Sequence, residues 1–310
     1  MSGLTLRIAV LRGGRSAERE VSLHTGEQVS AALASIGHDV VSVDTADIGF
    51  IETLRTGGFH VAFICLHGRF GEDGTIQGLL ELLELPYVGS GVLASALAMD
   101  KVVSKQIFVA SGIPTPEWAI VRRDCAYSVD EISGRLGGKL VVKPVSEGSS
   151  VGMSIVHEPR ELGPAIERAF EHDRTVLIEE FVSGAEVTVG VLGNSEIVAL
   201  PTLEVVPEHE FYDYESKYVP GMSRHIIPAG VPESARAECQ RIAVEAHRAL
   251  TCRGMSRSDI IVTADGRAYL LEVNTIPGMT KTSLLPDAAR AAGIEFPALC
   301  DRLVSLALDR

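Results

Sequence analysis

The stretch "KPVSEGSSVGM" at residues 143–153 sets a lysine ahead of a run of small residues, with glycines at 148 and 152. Such a run suits phosphate, because a backbone free of large side chains can fold over a triphosphate and aim its N–H groups at it. In a phosphate loop that opens a helix, the lysine follows the last glycine. Here no lysine follows Gly152, and Val151–Val156 reads as a further strand. The segment therefore predicts a glycine-rich hairpin lid, with Lys143 ending the strand before it. A plain hairpin loop satisfies the same pattern, so the rest of the chain has to decide.

The decisive support comes from "RSDIIVTADGRAYLLEVN" at 257–274. Asp265-Gly266 between two apolar runs is a strong short-range hairpin signal. With those two residues as the loop, Asp259 faces Glu272 and Arg257 faces Asn274. Side chains along a strand repeat with period two, so all four share one face. Two directly opposed carboxylates destabilise a sheet unless a cation lies between them, and the pattern predicts a metal site. Two carboxylates and an amide are hard oxygen donors, suited to Mg²⁺ or Mn²⁺ that also take substrate phosphates. Two solvated charges on an exposed face explain the opposed Arg/Asn pair and the following "NTIPGM" less well.

Composition sets the frame. The chain has 310 residues, 46% apolar and 22% charged, enough for two or three well-cored domains. Its net charge of −13 contains no basic block, which argues against nucleic acid or an anionic membrane as partner. The five cysteines are an odd number without metal or redox spacing, and read as buried or free thiols of a reducing cytosol. "MSGLTLRIAVLRGG" reads as a first strand running into a glycine turn, without a cleavage site or a membrane span.

Residues 6–98 alternate short apolar strands with helical patterns such as "EVSLHTGEQVSAALASIG", predicting a parallel α/β unit over 1–98. A helix from about Met99 to Gly112, the strands "KLVVK" and "SSVGMSIV", the helix "EPRELGPAIERAFEH" and the strand "RTVLIEEFV" predict a small α+β unit over 99–183. The remainder, 184–310, opens with a hairpin about an Asn-Ser turn in "EVTVGVLGNSEIVALPTLEVV". The polar, tyrosine-rich segment 207–230 is long for a connection and reads as a lid.

Three further motifs stay open on the residues alone. In "LRGGRSAERE" (11–20), with Asp44 ending the next strand, adjacent glycines do not match a dinucleotide fingerprint. Glu18 there is equally a partner of the helix dipole. In "LHGRFGEDGTIQGLLE" (66–81), a helix-capping Asp73 accounts for the turn but leaves His67 without a role. In "FYDYESKY" (211–218), the aromatics pack the loop down, or Lys217 and Tyr218 close over an anionic substrate.

Taken together, "GGRSAEREVSL", "LHGRFGEDG", "MDK", "KPVSEGSSVGM", "FYDYESKY", "GMSRSDI" and "LEVNTIPGMT" resemble the D-alanine–D-alanine ligases of the ATP-grasp superfamily across essentially the whole chain. The resemblance implies a three-domain α/β and α+β fold gripping ATP between its central and C-terminal units. Lys101 and Lys143 would hold the phosphates; Glu179, Glu180, Phe181 and Val182 would form the adenine hinge; Glu186 would bind the ribose. Asp259, Glu272 and Asn274 would hold two Mg²⁺ ions, with Mn²⁺ as an alternative. Glu18 would anchor the first D-alanine's ammonium with His67 nearby, and Arg257 and the Gly278 N–H would stabilise an oxyanion. Ser283, Leu284 and Lys217 would receive the second carboxylate, while Ser149 and Tyr218 would link the lid loops.

The reaction implied is phosphorylation of one D-alanine by ATP and attack of a second D-alanine on the acyl phosphate, for peptidoglycan precursors. A cytoplasmic homodimer is a family expectation. A ligase using D-lactate or D-serine second is the nearest rival; a regulatory nucleotide binder and a nicotinamide enzyme are more distant. Two residues depart from the family pattern: Glu180, where many relatives have lysine, and Ile276, where a small polar residue is common.

Overall fold

The computed structural model describes residues 4–146, 148, 151–207 and 223–309. Among them lie three sheets, the first parallel and the other two antiparallel. The fold class is the one the sequence predicts.

The parallel sheet has the order β2-β1-β3, with β1 at Arg7–Arg12, β2 at Asp39–Asp44 and β3 at Val61–Ile64. Ile8, Ala9, Val10 and Leu11 in β1 are all fully buried. Such a continuous apolar run belongs to a central strand covered on both faces. Helix α1 (Arg19–Ser35) buries Ser22, Thr25, Gly26, Val29, Ala32 and Leu33, a stripe at helical spacing. Helices α2 (Phe50–Thr56), α3 (Thr75–Leu82) and α4 (Val92–Met99) follow. The last helix of the chain, at Phe296–Leu308, returns here: Leu299, Leu303 and Val304 share one apolar cluster with Ile8, Val10 and Phe63.

The helix expected from about Met99 begins at Lys101 instead. Asp100 breaks from α4 and its carboxylate accepts the Val102 and Val103 N–H groups at 3.0 Å, capping α5 (Lys101–Ala110). Next comes a four-stranded sheet of order β4-β7-β5-β6: β4 Trp118–Arg122, β5 Leu140–Pro144, β6 Ser154–Val156 and β7 Thr175–Glu180. Strand β4 and helix α6 (Val129–Leu136) were not read from the sequence. The strand after the glycines is shorter than expected, because Val151 N–H donates to the Gly148 carbonyl in a turn and pairing starts at Ser154. Helix α7 (Pro159–Phe170), opened by a Glu158/Glu161 capping box, covers this sheet with Leu162, Ile166 and Phe170.

The third sheet has the order β11-β10-β8-β12-β13, with β9 also on β8. Strand β8 is Ala185–Gly193, β9 Val198–Ala199, β10 Leu203–Pro207, β11 Ser223–Ile226, β12 Gly254–Val262 and β13 Ala268–Asn274. The hairpin expected about Asn194-Ser195 is present, its second run divided between β9 and β10. Of the expected lid, residues 223–226 belong to β11, while 208–222 lie outside the described residues. Helix α8 (Glu233–Ala249) packs beneath; α9 (Leu284–Ala291) and α10 (Phe296–Leu308) complete the chain. All five cysteines are free, with Cys125 exposed and the other four buried.

One core group sets a pH dependence. His247 in α8 is fully buried with Nδ1 2.7 Å from Ser256 Oγ, and burial, with Arg248 beside it, pulls its pKa down to about 4. The unfolded chain takes up that proton near pH 6.5 and the folded chain near pH 4. The contribution is therefore intact above pH 6.5 and is lost as pH falls toward 4, on the order of 3 kcal/mol in all. The melting temperature is expected to drop over that window, and His247→Asn should remove this component of the slope. An unchanged slope in the variant would contradict the assignment.

Candidate active site

The acidic hairpin has the cross-strand register expected, reached through a different turn. Thr263 N–H donates to the Arg267 carbonyl at 2.9 Å and Gly266 N–H to the Thr263 carbonyl at 2.8 Å, so the loop is Ala264-Asp265-Gly266, not Asp-Gly alone. Gly266 takes φ +83°, as the left-handed position of a three-residue loop requires. That loop pairs Val262 with Ala268 and Ile260 with Leu270, one residue out of the expected register. A bulge then leaves Leu271 unpaired and restores Asp259 opposite Glu272 and Arg257 opposite Asn274. Without the bulge, Glu272 would lie on the same face as buried Leu270; the extra residue turns it to the other side.

On this face Asp259 is fully engaged. Arg257 grips it with Nε to Oδ1 at 2.9 Å and Nη2 to Oδ2 at 2.7 Å. Thr188 Oγ1 in β8 donates at 2.9 Å and Asn274 Nδ2 at 3.2 Å. Glu272 has the Lys101 ammonium 3.8 Å away. Among the described residues no group of three or more His, Cys, Asp or Glu forms a metal cage by itself. The donor set nevertheless fits Mg²⁺, which is held by one or two carboxylates and completes its shell with phosphate oxygens and water.

Lysines face these acids from α5 and β5. Lys143 pairs with Glu179 in β7, and Lys105 reaches the other oxygen of the same carboxylate at 2.5 Å. Burial opposes the charge on Lys143, yet Glu179 and Glu272 outweigh it and raise its pKa. Glu179 likewise stays ionised: burial pushes up, but Lys143 and Lys105 pull its pKa below the ordinary value. Its side chain thus belongs to a lysine cluster. The backbone after it turns into the connection to β8: Glu180 N–H donates to the Glu117 carbonyl, and Phe181 N–H to that of Lys139. The Lys139 ammonium sits 4.2 Å above the Phe181 ring, and Val182 follows. Glu180 accepts the Glu117 N–H at 3.2 Å, a contact its carboxylate makes and a lysine would not. Glu186 sits on β8 between Val205 and Ile261.

The loop after β3 meets Glu18. His67 is buried with Nε2 3.3 Å from Thr25 Oγ1 and Nδ1 3.5 Å from Glu72, so its ring is fixed from both sides. A Cβ on Gly68, at φ +70°, would lie 2.7 Å from Glu18 Oε2; one on Gly148 would lie 3.4 Å from the same oxygen. The Glu18 carboxylate is thereby set against both the 66–74 loop and the glycine lid. Asp44 is spent locally, on Arg19 (2.6 Å) and the Gly14 and Ala46 N–H groups, and these hold its pKa well below the carboxylate range, the Arg19 bond most of all. This leaves the nicotinamide reading without its acidic residue. Asp73 accepts the Phe70 and Thr75 N–H groups, as a turn cap does.

At the far end, Ile276 is buried with Leu85 and Tyr87, joining the hairpin's exit to the first sheet. A Cβ on Gly278 would lie 3.0 Å from Ser283 Oγ, which also accepts the Thr280 N–H. Leu284 packs its side chain against Leu203 and Val205, so a ligand at this helix start meets its backbone. Ser149, Lys217 and Tyr218 lie outside the described residues. Lys105, Thr188 and the His225–Asp287 pair (2.6 Å) were not read from the sequence. A signal existed for Lys105: it follows Lys101 by four residues on one helix, a like-charge spacing that is unfavourable without an anion for each.

Two antiparallel sheets, one bearing the lysine and glycine lid and the other the acidic hairpin, define an ATP-grasp architecture. The chain belongs to the D-alanine–D-alanine ligase family: the D-ala D-ala ligase C-terminus matches residues 107–305 and the N-terminus residues 47–90. A D-alanine–D-alanine ligase of Pelotomaculum thermopropionicum is 49% identical over 99% of this chain and 98% of its own length. One from Syntrophotalea carbinolica is 52% identical over 96% and 95%. The crystal structure of the Bacillus anthracis ligase complexed with ATP superposes with a TM-score of 0.87 at 35% identity, covering 98% of both chains. A D-Ala:D-Ser ligase from Enterococcus faecalis does so with 0.83 at 33% identity, over 98% of this chain and 100% of that one.

Proposed function

We propose that this chain joins two D-alanines into D-alanyl-D-alanine, cleaving ATP to ADP and phosphate through a D-alanyl phosphate, and so supplies peptidoglycan precursor synthesis. The observation that carries the reading is the approach of the lysines to the acidic hairpin, with Lys101 3.8 Å from Glu272 and Glu272 acting on Lys143, and with Glu18 set against the lid glycine. Lys101 and Lys143 bind the triphosphate, the hinge Glu179 to Val182 borders the adenine, and Glu186 takes the ribose. Asp259, Glu272 and Asn274 hold two Mg²⁺ ions, or Mn²⁺. When bound, the ions neutralise charge on the phosphate oxygens during transfer.

Glu18, with His67 behind it, holds the first D-alanine by its ammonium and leaves its carboxylate free to take the γ-phosphoryl group. The second D-alanine carboxylate lies at Ser283, the Leu284 N–H and Lys217. Its amine, once the ammonium has given up a proton, attacks the acyl carbon; Arg257 with the Gly278 N–H receives the oxyanion, whose collapse breaks the C–O bond and expels phosphate. We assign Ser149 and Tyr218, both outside the described residues, to the link between the lid loops. We assign residues 1–98 to substrate binding and 99–183 and 184–310 to the two halves of the grip. We place the protein in the cytoplasm as a homodimer, independent of nucleic acid and membranes; no helix among the described residues is long and apolar enough to cross a bilayer.

The test is phosphate release from ATP that requires D-alanine, with the product identified by mass. D-alanyl-D-alanine as main product is expected. Likeness to a D-Ala:D-Ser ligase keeps D-serine as the second reading, and D-lactate goes with it. Competition of D-alanine against each separates them, and a mixed product as the main species would overturn the assignment.

A further inference from the structure

Lys105 is fully buried, a costly place for an ammonium unless every proton is met. Its Nζ donates to Thr115 Oγ1 at 2.5 Å and to the Pro116 carbonyl at 3.3 Å, and forms an ion pair with Glu179 Oε1 at 2.5 Å. The Trp118 ring lies 5.3 Å away. Thr115 spends its own proton on the Leu270 carbonyl, so it can only accept from the lysine. Burial lowers the Lys105 pKa, and the second lysine, Lys143, presses the same way, while Glu179 resists. This geometry holds a charged lysine, not a neutral one.

The charge count gives the arrangement a purpose. Glu179 is the carboxylate that both lysines contact, while Glu272 acts on Lys143 and Glu180 on Lys105 through space. Lys143 is the more exposed, its side chain 13% open against 1% for Lys105. Were Lys105 apolar, Glu179 would neutralise Lys143 and the face toward the cleft would carry a neutral pair. We propose that Lys105 is a positioning residue for the nucleotide phosphates: by taking its share of Glu179 it leaves the cluster one net positive charge, presented through Lys143. This rests on the ATP-site reading above, and extends it to a residue that touches no ligand.

The test compares binding of ATP with binding of adenosine by calorimetry, so that adenine and ribose contacts cancel in the ratio. Lys105→Met is expected to weaken ATP by about tenfold or more and to leave adenosine within about twofold, because only the phosphates feel the lost charge. Lys105→Met/Glu179→Gln restores one net charge and should recover most of the preference for ATP. A purely structural lysine would weaken both ligands alike, with no recovery in the double variant, and that result would overturn the proposal.

Should Lys105→Met fail to fold, Lys105→Gln decides: its amide can still donate within the pocket while the charge is gone, so the ATP-to-adenosine preference should fall as for methionine; an unchanged preference would sink the idea. Wild-type protein is the control for the underlying reading. If it shows no preference for ATP over adenosine and no D-alanine-dependent turnover, the site reading fails and the proposal with it. If it shows both and the variants do not shift, only the role of Lys105 fails.

Discussion

Glu272→Gln is expected to lower kcat/KM for ligation by roughly 10²–10³-fold with the fold intact, the scale seen when one pre-organised electrostatic group is removed from a reacting centre. The amide keeps the length and shape of the side chain but deletes one of two opposed charges. The other, Asp259, already accepts from Arg257, Thr188 and Asn274, so it has little capacity to replace what is lost. Lys101, 3.8 Å away, would lose the carboxylate that faces it, and Lys143 one of the two acids that raise its pKa. Both lysines assigned to the phosphates are thus expected to be displaced by a change on β13, in another sheet. Stability should hardly move, since the Glu272 side chain is 29% exposed on the cleft face and packs no core. The measurement is D-alanine-dependent phosphate release across a Mg²⁺ titration, with a thermal melt alongside. Wild-type turnover at ordinary Mg²⁺ would remove Glu272 from the metal site.

That a carboxylate pair could be read from the chain at all follows from the periodicity of strands. Residues two apart share a face, so Arg257 with Asp259 and Glu272 with Asn274 were fixed as same-face pairs whatever the turn. The cross-strand match was legible for a less secure reason. A two-residue Asp-Gly loop gives the right register near the cleft, yet the loop has three residues and a bulge at Leu271 cancels the shift. Neither feature leaves a sharp mark in sequence, since a Gly after Asp serves both loops and a leucine in a strand does not announce that it is unpaired.

Glu179 shows the converse limit. The motif implied an adenine hinge and left the side chain's partners open, because which way a strand residue turns depends on what the neighbouring elements put beside it. Here α5 brings Lys105 and β5 brings Lys143, from 74 and 36 positions earlier in the chain. Helix ends were similarly ambiguous. "MDK" reads as the start of a helix, and only the Asp100 side chain bonding to Val102 and Val103 divides α4 from α5. The parallel sheet was the most legible part, because a buried strand such as "RIAVLR" has one physical reading.

Arg257→Lys and Arg257→Met are both expected to lower kcat by about 10²–10³-fold, with lysine recovering little of the loss. Arg257 uses Nε and Nη2 on Asp259, two N–H groups of one planar fork, in a side chain only 16% exposed. A guanidinium has five N–H groups, so it can keep that grip and still offer others to an oxyanion. An ammonium has a single nitrogen and cannot serve both places. Because the oxyanion exists only after the amine has attacked, the loss should fall on kcat and leave the Km values for ATP and D-alanine within a few-fold. A second effect is separable. If Arg257 did no more than hold Asp259 in place, the variants would need more Mg²⁺ and saturating Mg²⁺ would restore their rate. A rate that stays low at saturating Mg²⁺, with ATP binding near wild type, is the result expected of a group that meets charge in the transition state. Full recovery at high Mg²⁺ would reassign Arg257 to the support of Asp259 and leave the Gly278 N–H as the oxyanion's remaining assigned donor.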